Sequence, residues 1–222
     1  MVLTENTSNT FLYQKTIIKA DKLFNWAIDY LLKLNDTIPS KRWHNVVIAL
    51  ILLTGRSHCY VQSKKGLFSI KSFEGSEEIP ILCDVDLILK AVSWLESNNK
   101  LAIDQSSAHK IYSPYLSQVV KLIFNKLDFI EEDDDYFVNR LKTSTGLRAI
   151  YGVVWAFQSA WSNSSVLVNM AHSDEDNLAF LKKSKLLDVR AFNIAKYIEV
   201  YKIDDVLLGT ISNHSVYFQV LK

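Results

Sequence analysis

The side chains in this sequence best suited to chemistry are basic ones at the ends of apolar segments. Arg56 closes Leu53-Thr54-Gly55-Arg56, where a glycine ends an apolar helical run and presents the guanidinium. Arg148 lies in Leu147-Arg148-Ala149-Ile150-Tyr151-Gly152, at the start of a second strong helical pattern. His172 stands in Ala171-His172-Ser173-Asp174, and Tyr197 and Tyr201 lie four residues apart shortly before the C-terminal tail. Lys64, Lys65 and Lys71 approach or enter a β-prone segment. Arginine carries a planar fork of donors that matches carboxylate or phosphate by two parallel hydrogen bonds, so the chemistry such residues suit is recognition of an oxyanion. Each has a plainer reading as well. An arginine after a helix end is commonly structural, a strand-end lysine solvated, a histidine at a helix start a surface residue, and two tyrosines at i and i+4 a packed aromatic pair. There is no glycine-rich phosphate loop, CxxC, HExxH or GxSxG, so nucleotide hydrolysis, structural zinc and the common hydrolases lack their signatures, and no cofactor or metal is expected. Cys59 and Cys83, the two thiols, sit among apolar neighbours and read as core packing.

These residues need elements to position them. Ile17, Ile18, Leu23, Phe24, Ala27, Ile28, Leu31 and Leu32 recur at helical spacing and predict a helix from Gln14 to Leu34. A second helix, capped by Ser40 after Pro39, carries Trp43 to Leu53 and stops at Gly55. Two short β-prone runs, Leu67 to Phe73 and Glu78 to Leu82, predict a hairpin across Glu74-Gly75-Ser76. Asp84 caps a further helix, a polar linker covers Asn98 to Lys110, and Ser113-Pro114 opens the next helix. The acidic run Glu131–Asp135 reads as a solvated loop, because like charges at that density repel along a helix. A strong helix follows from Ser144 or Thr145, and helices continue with a break from a Ser173 cap to about Tyr201. Val216 to Leu221 alternates like an extended tail.

About half of the 222 residues are apolar, enough for one sizeable core, while 6 Gly and 3 Pro favour long helices over many tight turns. The longest apolar run, Val46 to Leu53, is far short of a bilayer, and the N-terminus shows no export pattern. A cytoplasmic protein without membrane contact is therefore expected. A net charge of +1 is not that of an obvious nucleic-acid binder, although setting aside Glu131–Asp135 leaves a moderately basic remainder.

Thr54-Gly55-Arg56, then a β-hairpin ending in Ile79-Pro80-Ile81-Leu82, then a helix, resembles the first half of a tyrosine-recombinase catalytic domain. Leu147-Arg148-Ala149-Ile150-Tyr151-Gly152 resembles a run found in the telomere resolvases (protelomerases) of that superfamily, and Ala171-His172-Ser173 resembles the segment opening its last active-site helix. The resemblance spans roughly Trp43 to Asp205. It implies a mainly α fold with a small β-hairpin or sheet, divided into an N-terminal helix and tail (1–38), a tyrosine-recombinase-like catalytic domain (39–205) and a C-terminal extension (206–222). It also implies roles: Arg56 and Arg148 as phosphate clamps, Lys71 as general acid with Lys64 and Lys65 as alternatives, and His172 as a donor to the phosphate. Tyr197 would be the nucleophile, with Tyr201 the other candidate. The sequence departs from the pattern at Thr145, where the superfamily has His or Lys, with Lys142 nearby, and in a tyrosine displaced to 25 residues beyond His172.

The implied reaction is DNA breaking and rejoining. Two arginines stabilise the charge that builds on the non-bridging oxygens in the transition state, and a lysine protonates the departing 5′ oxygen as the tyrosine forms a 3′-phosphotyrosyl intermediate. Attack by a DNA 5′ hydroxyl then yields either closed hairpin telomeres or an ordinary recombinant. Double-stranded DNA and a homodimer on DNA, nucleoid- or plasmid-associated, are the implied partner and assembly. Two other readings stand beside it: a catalytically degenerate relative that binds DNA without cutting, and a helical interaction protein unrelated to DNA.

Overall fold

The structure, a computed structural model, describes residues 16–35, 37–64, 78–130, 135–161, 178–179, 182–183, 187–200 and 209–212. At its centre runs α2 (Trp43–Thr54), preceded by a 3₁₀ turn (Ser40–Arg42), in which every residue from Val46 to Thr54 is buried. A helix apolar on all sides has no solvent face to offer, so it must be surrounded. α1 (Ala20–Leu32) lays Leu23, Phe24, Ala27 and Leu31 against it. α4 (Val85–Ser97) contributes Ile88, Ala91, Trp94 and Leu95, and α7 (Ser144–Trp161) contributes Leu147, Ile150, Tyr151 and Val154 to the same core. The one buried hydroxyl of α2, on Thr54, donates to the Leu50 carbonyl at 2.6 Å.

The remaining elements close around this helix. α3 (His58–Val61) follows α2 at once and packs on α5 (Gln105–Leu127). α6 (Asp135–Leu141) abuts α7, and α8 (Val189–Ala195) lies along α7 on another side. β1 (Thr16–Ile18) pairs in parallel with β3 (Ile198–Val200), and β2 (Glu78–Ile81) pairs antiparallel with β4 (Gly209–Ser212). The molecule is mainly helical, and among the described residues no helix is long and apolar enough to cross a membrane. α1 belongs to the same core cluster as α2 and α7, and β4 reaches back to β2, so packing runs across positions 38/39 and 205/206.

Several predicted elements are corrected. The first helix begins at Ala20, because Thr16-Ile17-Ile18, rich in β-branched residues, forms β1 with Thr16 and Ile18 buried. The stretch read as a linker up to Lys110 is already helical from Gln105. Asp104 caps it by accepting the Ser107 amide at 2.7 Å, and Ala108, Tyr112, Leu116, Val120 and Phe124 bury one residue per turn. Pro114 thus lies inside α5 and does not open it. The last helix ends at Ala195 and the chain turns into β3, so Tyr197 is not on a helix. Of the predicted hairpin, Glu78–Ile81 is a strand, but its partner among the described residues is β4, and 67–73 lie outside them. The predicted tail strand, 216–221, also lies outside the described residues.

Candidate anion site at the end of the central helix

α2 ends because Gly55 takes the left-handed conformation (φ 64°), its amide still donating to the Ile51 carbonyl at 2.9 Å. Glycine is required twice over. The positive φ disfavours a side chain, and a Cβ here would stand 2.3 Å from the Tyr151 ring. Tyr151 itself is 1% exposed, and its hydroxyl donates to the Pro80 carbonyl at 2.7 Å. Burial pushes that phenol well above its ordinary pKa, partly offset by Arg56. The Leu82 amide donates to the Leu53 carbonyl at 2.9 Å, so β2, α2 and α7 are locked together where Arg56 emerges.

Arg56 and Arg148 meet here, although they are far apart in the chain. Arg148 donates from Nε to the Gly55 carbonyl at 2.7 Å and from Nη1 to the Asp188 carboxylate, and its side chain is only 11% exposed. Arg56 is partly buried, its guanidinium carbon 4.3 Å from the centre of the Tyr60 ring. Burial lowers the Arg56 pKa and the Arg148 charge lowers it further, against the opposing pull of Tyr60 and Tyr151. Two neighbouring, partly buried cations repel. Asp188 relieves Arg148 and the Tyr60 face relieves Arg56, and an added oxyanion would relieve both.

Asp188 also caps α8, accepting the Ala191 amide at 2.9 Å. Burial raises its carboxyl pKa, but the Ala191 amide, the Arg148 guanidinium and the Arg190 amide outweigh that and hold it below the usual range. The Leu147–Gly152 run is therefore a joint. Leu147, Ala149 and Ile150 are core, Arg148 and Tyr151 reach the end of α2, and Gly152 lets Leu187 approach, since a Cβ there would lie 2.8 Å from the Leu187 side chain.

Among the described residues, Lys64 and Tyr197 are not gathered here. Lys71 and His172 lie outside the described residues, as do Lys65 and Tyr201. Lys64 is exposed, its amide donating to the Ala102 carbonyl at 2.9 Å. Tyr197 is half-buried in the turn between α8 and β3, its ring edge-on to Phe137 at 5.9 Å. Lys142 lies in the short link before α7, and Thr145 in the first turn of that helix.

Sequence reasoning missed Asp188, Tyr60 and a neighbouring cluster of His58, Cys59 and His109. Asp188 had a signal, being the acid just before Val189 at a helix start. His109 had none, because only tertiary packing of α5 on α3 brings it to His58. His58 is 8% exposed and held neutral, its pKa lowered to about 4 by burial, then by His109 and Arg148. Burial pushes the Cys59 thiol up, against a pull from its own backbone, Ser57 and Arg148. Cys83 is the plain core thiol that the sequence suggested, pushed up to about 12 by burial and then by Asp84. Comparison with family models, with curated proteins and with solved structures gives no match to this chain.

Proposed function

We propose that this chain grips the DNA backbone with Arg56 and Arg148 and breaks and rejoins DNA in the manner of the telomere resolvases and other tyrosine recombinases. The observation that supports this is that Arg148 donates to the carbonyl of Gly55, the residue just before Arg56, and that its charge acts on the Arg56 guanidinium at the end of α2. In the proposed reaction the Tyr197 hydroxyl gives its proton to solvent as its oxygen attacks phosphorus, and the bond to the 5′ oxygen breaks. Lys71 gives the departing oxygen its proton, and His172 hydrogen-bonds the phosphate. A 5′ hydroxyl later attacks the phosphotyrosyl bond and releases the tyrosine. Tyr197 must leave Phe137 to act. Two protomers acting together on one duplex complete the exchange.

A second reading is favoured by the Arg148–Asp188 ion pair and by Thr145: a relative that binds DNA without cutting it. Suicide duplexes decide between them. A covalent protein–DNA adduct that disappears in Tyr197→Phe supports strand transfer. Salt-dependent binding that weakens in Arg56→Ala and Arg148→Ala, with no adduct, supports the non-cutting form, each lost phosphate contact lowering the salt slope by about 1. Absence of binding at low salt overturns both and leaves the helical interaction protein.

A further inference from the structure

Beside the arginine pair, α3 and α5 place two imidazoles and a thiol against one another. Cys59 Sγ lies 3.3 Å from His58 Nε2 and 3.8 Å from His109 Nδ1. The two histidine rings have centroids 5.6 Å apart, and the three ligating atoms all fall within 4.8 Å of one another. We infer that His58, Cys59 and His109 form a binding site for a zinc-class cation, one that accepts mixed nitrogen and sulfur ligands.

The distances carry the argument. Tetrahedral zinc with Zn–S of about 2.3 Å and Zn–N of about 2.0–2.1 Å requires sulfur and nitrogen to stand about 3.5 Å apart, and the two observed separations bracket that value. His109 is exposed and can turn to close the remaining gap to His58, which is buried and fixed in α3. Core packing alone explains the cluster poorly. Nδ1 of His58 is buried with no hydrogen-bond partner, as are both polar atoms of Gln62, one turn further along. A cation on Nε2 would fix the His58 proton on Nδ1, and Gln62, one turn away, carries an oxygen with no other partner of the kind that commonly accepts from a ligating histidine.

A cysteine–histidine pair built for nucleophilic attack is the competing reading, and it needs a thiolate beside an imidazolium. Burial disfavours both charged forms, whereas a cation takes a neutral imidazole as it stands and displaces the thiol proton itself. Soft sulfur with two imidazoles selects zinc, or copper(I), over magnesium or calcium, which take oxygen ligands. With three protein ligands among the described residues, the fourth position would go to water or another small ligand. A bound cation would clamp α3 to α5, and α3 begins two residues after Arg56. Occupancy would therefore stiffen the backbone that presents the guanidinium.

The test is optical, needs no DNA, and so stands apart from strand transfer. The full chain, reduced and stripped with chelator, is titrated with cobalt(II) and then with zinc(II). The expected result is one cobalt per chain, with tetrahedral ligand-field bands and a thiolate-to-cobalt charge-transfer band, both bleached by zinc. The charge-transfer band vanishes in Cys59→Ser and survives in Cys83→Ala. His109→Asn, at an exposed position where the fold is checked by circular dichroism, weakens binding about tenfold or more. A wild-type chain with no charge-transfer band overturns the inference. So does a band that persists in Cys59→Ser, or an affinity that His109→Asn leaves unchanged.

Discussion

Tyr151 concentrates at one residue what the sequence conceals. In the sequence it is an aromatic inside a motif; in the fold it lies under Gly55 and donates its hydroxyl to the Pro80 carbonyl at 2.7 Å. Tyr151→Phe keeps the ring and orphans that buried carbonyl, so chemical denaturation should show a loss of about 1–2 kcal/mol with an unchanged slope. Asp188 offers a pH test. Its folded pKa lies below the unfolded value of roughly 3.9, so its contribution is present above that value and is lost as pH falls through the lower folded pKa. Urea midpoints of the wild type and Asp188→Asn should therefore differ at neutral pH and converge below about pH 4. On the proposed DNA-gripping role, the same substitution removes the carboxylate that competes for Arg148, so DNA affinity at fixed salt should rise. Arg56 and Arg148 were legible as candidates because both follow strong helix signals. Asp188 was not, because an acid before a short helix reads only as a cap until the arginine that it faces is known.

Among the elements, helices with one buried stripe were legible and their ends only partly so. α4 and α7 start at their sequence signals, Asp84 and Ser144, and α2 stops at Gly55 as expected, but Ser40, read as its cap, lies in the preceding 3₁₀ turn and α2 itself begins at Trp43 after Arg42. α5 was misread because Pro114 was taken for a beginning. The Asp104 cap and five buried residues spaced four apart hold the helix through the proline despite a missing amide. Pro114 is exposed, so Pro114→Ala restores a bond to the Lys110 carbonyl with no packing change, and the melting temperature should rise by the equivalent of about 1–3 kcal/mol. β3 was hidden for a different reason. Ile198-Glu199-Val200 is too short to outweigh the helical pattern before it, and it is a strand because β1 pairs with it.

At the scale of the molecule, one core collects α1, α2, α4, α5, α7 and α8 around a helix with no exposed face beyond its first turn. Truncation there should be felt throughout. Leu50→Ala, at a fully buried position, is expected to cost about 2–5 kcal/mol, read as a cooperative fall in both thermal and urea midpoints. The mainly helical class was legible from composition and periodicity, while the pairing of distant strands was not, since no local pattern specifies a partner some 180 residues away.

That pairing sets a schedule for synthesis. Thr16–Ile18 leaves the ribosome some 180 residues before the strand that it joins, Ile198–Val200. At roughly 5–20 residues per second the first strand waits on the order of 10–40 s with its backbone edge unsatisfied. Until that second strand is made, a sticky β-branched segment is open to any neighbouring nascent chain, so slower elongation should lower the yield of native protein before it affects anything the finished molecule does.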